Sequence, residues 1–278
     1  MIALEKVATL AVSAASGCVV YDGRVWVVAD DDVSLHSYSR DGAPLAVVPL
    51  FPDAMPADEK ARKKVKPDLE ALTALPDGSL LAIGSGSSER RRRAAWVQLG
   101  AQGPRVSEID CSLLFARLSR EFEQLNVEGL VVQGDALVLG QRGNGARREN
   151  ALVRLELKQA LGSLARGYLN ADGLRTIERV DLGELDGVPL SLTDLALAGD
   201  GSLRFSAAAE DTEDPYVDGV CTGSVVGALD GAHVRWTTPL SPVVKIEGLA
   251  RLEGERWVLV ADADDPQVKA PLFVARLP

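Results

Sequence analysis

Short apolar runs and tight-turn dipeptides alternate along the whole chain. The turns are Asp22-Gly23, Asp77-Gly78, Gly134-Asp135, Asp200-Gly201 and Glu253-Gly254. Each is followed by an apolar run: Arg24–Val28, Ser79–Ile83, Ala136–Leu139, Ser202–Phe205 and Arg256–Val260. Asp-Gly between apolar runs is the strongest short-range hairpin signal. Upstream of the turns a second pattern recurs: Asp68-Leu-Glu-Ala-Leu72, Asn126-Val-Glu-Gly-Leu130 and Lys245-Ile-Glu-Gly-Leu249, with degenerate copies at Ser191-Leu-Thr-Asp-Leu195 and Ala15-Ser-Gly-Cys18. Ser16, Glu70, Glu128, Thr193 and Glu247 are then equivalent, at steps of 54, 58, 65 and 54 residues.

Five units of roughly 55 residues account for the chain, each with room for four strands. In the first unit these are Cys18–Tyr21, Arg24–Ala29, Val33–Ser39 and Pro44–Pro49. A four-stranded unit repeated at this spacing marks a propeller blade, so the expected fold is all-β, a five-bladed β-propeller forming one domain over residues 1–278. The last unit supplies only Leu249–Leu252, Arg256–Val260 and Pro271–Leu277. The N-terminal segment Ala3–Leu10 is expected to complete it, removing an open sheet edge. Ser112–Leu125 and Leu155–Leu164 have helical spacing and read as insertions between strands.

Composition bounds the function classes. Hydrophobic residues make up 46% and charged residues 25%, which excludes wholesale disorder. No apolar run reaches the ~18–20 residues of a spanning helix, and the acidic balance, 40 Asp and Glu against 30 Lys and Arg, disfavours nucleic acid. The start, Met-Ile-Ala-Leu-Glu-Lys-Val, is a poor secretory signal, and three widely spaced cysteines suit reduced thiols. A monomer in the cytoplasm, bound to neither nucleic acid nor membrane, is expected.

Propeller topology places the start of strand one and the loop after strand two on one face. That face collects Lys60, Arg62, Lys63, Lys64, Lys66, Arg90, Arg91, Arg92, Arg93, Arg142, Arg147 and Arg148 from blades two and three. From the other blades come Glu210, Asp211, Glu213, Asp214, Asp218, Asp262, Asp264, Asp265 and Asp30–Asp32. A mouth with one basic and one acidic sector is expected, against the alternative of an ordinary solvated loop face.

Glu70, Glu128 and Glu247 around one axis cannot all stay ionised unless spread apart, bridged by a cation or paired with a base. Three readings stand: each staples the backbone of a neighbouring blade, they bind a metal, or they touch substrate. With oxygen ligands only, a metal there would be Ca²⁺ or Mg²⁺ rather than zinc, on Glu70, Glu128, Glu247 and Asp262. Arg142 is the protein-borne competitor. A nucleophile elbow, a P-loop, His-Glu-x-x-His and Cys-x-x-Cys are absent. Gly84-Ser-Gly-Ser-Ser88 reads as an anion cradle or as a plain turn. His36 and His233 fall in outer strands and read as structural. Trp26 and Trp257 suit packing between blades.

Several stretches carry a family resemblance. Pro67-Asp-Leu-Glu-Ala-Leu-Thr73, Gly84–Arg93, Asn126–Leu130, Gly140-Gln-Arg-Gly-Asn-Gly145, Ser206–Thr212 and Ala261–Pro266 resemble an uncharacterised bacterial propeller family, a domain of unknown function. More loosely, the recurring Glu-Gly-Leu is similar to esterase-like phytase propellers and five-bladed calcium-activated nucleotidases. The looser resemblance implies a calcium ion near the axis and phosphoester hydrolysis. The expected function is binding of a small anionic ligand, phosphorylated or not, on Arg90, Arg91, Arg92, Arg93, Arg142, Asn144 and Glu210. If the protein is an enzyme, the reaction is metal-assisted phosphoester hydrolysis. The alternatives are a non-catalytic scaffold for a partner and, with no nucleophile–His pair to support it, a metal-free hydrolase of neutral esters or lactones.

Overall fold

The structure is a computed structural model that describes residues 1–53, 55–56, 58–210 and 221–278, without the side chains of residues 59, 60 and 63. Asp211, Glu213, Asp214 and Asp218, and the side chains of Lys60 and Lys63, lie outside the described residues.

Five antiparallel sheets form a ring, a five-bladed β-propeller, in which the first strand of each blade packs beside the first strand of the next and the fifth closes on the first. Blade one runs through Ala15–Tyr21, Arg24–Ala29, Ser34–Tyr38 and Pro44–Pro49. Blade two is Leu69–Ala74, Leu80–Gly84, Arg93–Gln98 and Arg105–Asp110. Blade three is Val127–Gln133, Ala136–Gln141, Ala151–Glu156 and Leu174–Arg179. Blade four is Val188–Leu197, Leu203–Glu210, Cys221–Asp230 and His233–Ser241. Blade five holds Lys245–Glu253, Arg256–Asp262 and Pro271–Arg276, and the N-terminal strand Glu5–Thr9 pairs antiparallel with the last of these. The ring is thus closed by chain from both ends. Two further residues, Ile2–Ala3, add a parallel pair to the outermost strand of blade four, a second tie that the repeat pattern does not contain.

The core consists of five apolar layers, each between adjacent blades. Trp26 packs with Leu69, Leu72 and Leu80 of blade two, and Trp257 with Ala196 and Val226 of blade four. Of the two stretches with helical spacing, Ser112–Leu118 and Leu157–Leu164 form helices that bury Leu114, Phe115, Leu118 and Leu164 in the layer between blades two and three. A third helix, Glu59–Val65, crosses from blade one to blade two. The sequence pattern reads it as a charged connection, because so short and charged a segment carries no apolar stripe.

The recurring signature has one structural cause. In every blade the pairing of strands one and two slips at the equivalent residue: between Ala15 and Gly17, Leu69 and Ala71, Val127 and Gly129, Leu192 and Asp194, and Ile246 and Gly248. Ser16, Glu70, Glu128, Thr193 and Glu247 are therefore bulge residues, and a bulge re-aims a side chain that regular pairing would fix. The glycine that follows is set by close approach of the neighbouring blade. A Cβ on Gly17 would lie 2.9 Å from the Glu70 carbonyl oxygen, and one on Gly129 would lie 2.8 Å from Leu195 Cγ. Two residues past the bulge stand Cys18, Leu72, Leu130, Leu195 and Leu249, all buried, around a mainly apolar cavity of about 200 Å³ that Thr73 and Arg251 also line. The axis is thus polar at the bulges and apolar beyond them.

Candidate functional site

At the bulges the axis opens into a cavity of about 330 Å³. Its lining comes from two registers. Bulge residues Ser16, Glu70, Glu128 and Glu247 face it, together with Asp68, Asn126 and Lys245, which precede three of them by two positions. From the ends of strand two come Asp30, Arg142 and Asp262, with Asn144 and Arg91 from the following loops and Lys66 from the end of the 59–65 helix. The face deduced from topology is the face on which the cavity opens.

Charge is crowded there. Six carboxyl groups line the wall and Glu210 stands behind it, against four bases, Lys66, Arg91, Arg142 and Lys245. The bases are divided between two clusters. In the first, Arg142 Nη1 lies 3.3 Å from Glu128 Oε1 and 3.4 Å from Glu247 Oε1, while Nη2 pairs with Glu210. Lys245 Nζ adds contacts of 3.4 Å to Glu210, 3.2 Å to Glu247 and 2.9 Å to Asp264. In the second, Lys66 Nζ pairs with Asp30 and lies 2.8 Å from Asp68 Oδ1, and Arg91 Nη1 lies 2.8 Å from Asp68 Oδ2. Asp68 sits at φ 56°, a left-handed conformation that Asp tolerates better than most residues, with Ser85 Oγ donating to its Oδ2.

Glu70 differs from every other carboxylate on the wall. It has no ion pair and no hydrogen bond among the described residues, although its carboxylate oxygen lies within 4.8 Å of donor oxygens of both Asp30 and Asp68. Burial pushes its carboxyl well above the usual range, and Glu128, Asp68 and Asp30 push it further. Burial likewise pushes Glu128 up to about 8, with Arg142 opposing, and Asp262 up to about 8, with Lys245 opposing. Glu247 and Asp30 are raised by the same desolvation, against Arg142 and Lys66 respectively. One oxygen of Glu128, Oε2, is fully buried with no hydrogen-bond partner among the described residues. With Asp264 on Lys245, eight carboxyls face four bases, an excess of four negative charges when all are ionised, and the raised carboxyls relieve part of it by holding protons.

The sequence-derived sets are only partly brought together. Glu70, Glu128, Glu247 and Asp262 all line the cavity but do not form one ligand cluster, because Arg142 occupies the space between Glu128 and Glu247. The group whose oxygens converge is Asp30, Asp68 and Glu70. Of the arginine run, only Arg91 reaches the cavity. Arg90, Arg92 and Arg93 line a separate outer cleft, where Arg93 is held by Asp53 and Glu108 and lies over the Phe51 ring at 4.0 Å. Arg142 and Asn144 do line the cavity, whereas Glu210 is buried behind it as a partner of Arg142. Arg147 pairs with Glu123 at the surface. The cationic sector is therefore a set of engaged pairs rather than an open basic patch.

In the Gly84–Ser88 loop, Ser85 N–H donates to the Asp68 carbonyl at 3.0 Å and Gly86 N–H to the Arg91 carbonyl at 3.2 Å, so these amides are taken by the protein's own backbone. Backbone stapling between blades falls to other residues of the repeat. Ser16 Oγ donates to the Leu69 carbonyl, and Asp194, next to the Thr193 bulge, accepts from the N–H groups of Leu195 at 2.7 Å and Leu249 at 2.8 Å.

Comparison with known proteins places this geometry in a family. The chain belongs to the family of unknown function DUF6929. The match covers residues 11–277. No curated protein matches the chain. Among solved structures, a glutaminyl cyclase from Myxococcus xanthus superposes with a TM-score of 0.55 at 15% identity, covering 99% of this chain and 96% of that one. An aldose sugar dehydrogenase from Streptomyces coelicolor (0.47, 12%, 99% of both chains) and a gluconolactonase from Xanthomonas campestris (0.44, 12%, 99% and 89%) are more distant. At these identities the likeness of this DUF6929 member is one of fold.

Proposed function

We propose that the axial cavity binds a hard divalent cation, Ca²⁺ or Mg²⁺, on Asp30, Asp68 and Glu70, and that the loaded site holds a small anionic ligand at the mouth. The observation that carries this reading is the unpartnered carboxylate of Glu70 beside two converging aspartates. Their donors are all oxygen, as a hard cation requires, and three oxygens within 4.8 Å of one another can share one ion at the 2.3–2.6 Å of Ca²⁺ coordination. The buried, unpartnered Glu128 Oε2 and the excess of carboxyls favour added positive charge at the same place.

When bound, such a cation supplies polarisation of a ligand oxygen and acidification of a water. The chain's own groups supply the rest. Lys66 and Arg91, both on Asp68, bring two positive charges to the same wall and would position an anionic oxygen there. Glu128, held up to about 8, carries a proton at neutral pH and so spares the neighbouring Glu70 a like charge. These roles fit hydrolysis of a small phosphoester, in which water attacks phosphorus, the ester P–O bond breaks and one proton of that water ends on the departing alcohol oxygen while the other stays with the phosphate.

A thermal-shift titration tests the cation. Protein stripped with a chelator gains several degrees in Tm with millimolar Ca²⁺ or Mg²⁺ if either binds, since ligand stabilisation grows as RT ln(1 + [L]/Kd). An unchanged Tm with both ions contradicts the reading. A second reading, a non-catalytic scaffold, is favoured by one observation: Arg90 is exposed in the outer cleft without an ion pair among the described residues, available to an acidic partner.

A further inference from the structure

Resting on the cation reading above, we infer that the ligand of the axial cavity is a hydroxyl-rich organic anion without an aromatic ring, its anionic group beside Asp30, Asp68 and Glu70 and its hydroxyls towards the blade-three side of the lining, at Glu128 and Asn144. The lining decides the absence of a ring. Every residue that lines the cavity is charged, an amide or a serine; none is aromatic or aliphatic. A nucleobase or aryl group gains most of its affinity from stacking and apolar burial, and neither is on offer here. At about 330 Å³ the cavity is at the small end of ligand pockets, which span about 300–1,000 Å³. The ring of Cys18, Leu72, Leu130, Leu195 and Leu249 beyond the bulges gives a polar ligand no place to extend.

The orientation follows from the separation of charge. With a divalent cation, the Asp30–Asp68–Glu70 wall and its two bases, Lys66 and Arg91, carry a net single positive charge. The rest of the lining adds no positive surplus, since Arg142 and Lys245 are already paired with Glu128, Glu247 and Glu210. A carboxylate or phosphate is attracted to the Asp30–Asp68–Glu70 side. Elsewhere the lining offers polar groups to hydroxyls. The Asn144 amide lines the cavity and makes no hydrogen bond among the described residues, so it can both donate to and accept from a hydroxyl. A vicinal polyol offers donors and acceptors in alternation, as that amide demands.

Calorimetric titration of the whole chain, saturated with Ca²⁺, tests the inference with gluconate, glucose 6-phosphate, AMP and phenyl phosphate. Gluconate, glucose 6-phosphate or both are expected to bind at least tenfold more tightly than AMP and phenyl phosphate; which of them binds identifies the anionic group. Asn144→Ala and Glu128→Gln are each expected to weaken that ligand fivefold or more without changing the Ca²⁺ isotherm in the same proportion. If Ca²⁺ binds and AMP or phenyl phosphate binds as well as the hydroxyl-rich anions, or none of the four binds, the ligand class is wrong while the cation site stands. If Ca²⁺ fails to bind, the cation reading falls. The same titrations in chelator then decide the ligand class alone: a hydroxyl-rich anion that still binds and is weakened by Asn144→Ala upholds it, and no binding overturns it.

Discussion

Arg142 Nη1 lies 3.4 Å from Glu247 Oε1, joining residues 105 positions apart and tying blade three to blade five across the axis. The same guanidinium holds Glu128 and Glu210. Its pKa is held well up because Glu128, Glu247 and Glu210 outweigh the burial that opposes its charge. Arg142→Met leaves three buried glutamates with Lys245 as their base. Breaking a buried pair from one side costs about 3–5 kcal/mol, and a loss of that size in denaturant unfolding is expected. Arg147→Ala removes an exposed pair with Glu123, and about 0–1 kcal/mol is expected there. Equal small losses for both would show that Arg142 is not the keystone of the axis.

The raised carboxyls set the direction of the pH dependence. Glu128 is raised from 4.5 to about 8 and Asp262 from 3.8 to about 8, so between those limits the folded chain keeps protons that the unfolded chain has released. Stability must then fall as pH rises from about 5 towards 8 in chelator. Scanning calorimetry across that range should show Tm declining, and Glu128→Gln should flatten the decline because glutamine does not ionise. A Tm that rises with pH over this window would contradict the assignment.

Lys66 already neutralises the aspartates that the cation would use, since its Nζ contacts both Asp30 and Asp68. Lys66→Met removes that internal competitor. Ca²⁺ affinity should rise about tenfold by calorimetry, equivalent to about 1.4 kcal/mol. An unchanged or weaker affinity would place the cation elsewhere.

Asp194 carries a different load from the axial glutamates. Its two oxygens accept the N–H groups of Leu195 and Leu249, the second from the neighbouring blade. Asp194→Ala strands both donors, and a loss of about 1–3 kcal/mol per donor is expected in denaturant unfolding. Asp194→Asn keeps one acceptor and should recover part of it. No recovery would mean that the carboxylate charge, rather than its hydrogen bonding, matters.

Much of this architecture is legible in the sequence because a propeller repeats its constraints. The Glu-Gly pair marks the blades: the bulge turns Glu128 or Glu247 to the axis, and a Cβ would meet Leu195 of the next blade at 129 and Val260 of its own blade at 248. The shared face follows from topology, and Asp262, Arg142 and Asn144 of that face line the cavity. Pairing across the axis is another matter. That Arg142 would settle between Glu128 and Glu247 depends on side-chain reach, which periodicity does not encode. Asp68, Asn126 and Lys245 each open a copy of the recurring pattern two residues before its glutamate, and that fixed position is the signal that could have found them. The arginine run misleads for a local reason. Residues 89–91 form a turn of 3-10 helix, so consecutive side chains fan out and Arg91 parts company with Arg90, Arg92 and Arg93.

The central claim is that Glu70, the unpaired carboxylate, completes a divalent-cation site with Asp30 and Asp68. Isothermal titration of Ca²⁺ and Mg²⁺ into chelator-stripped wild type and Glu70→Gln tests it most directly. One ion per chain in wild type, with affinity reduced at least tenfold in Glu70→Gln while its far-ultraviolet circular dichroism is unchanged, is the expected result. No heat with either ion in wild type, or equal binding in the two proteins, would contradict it.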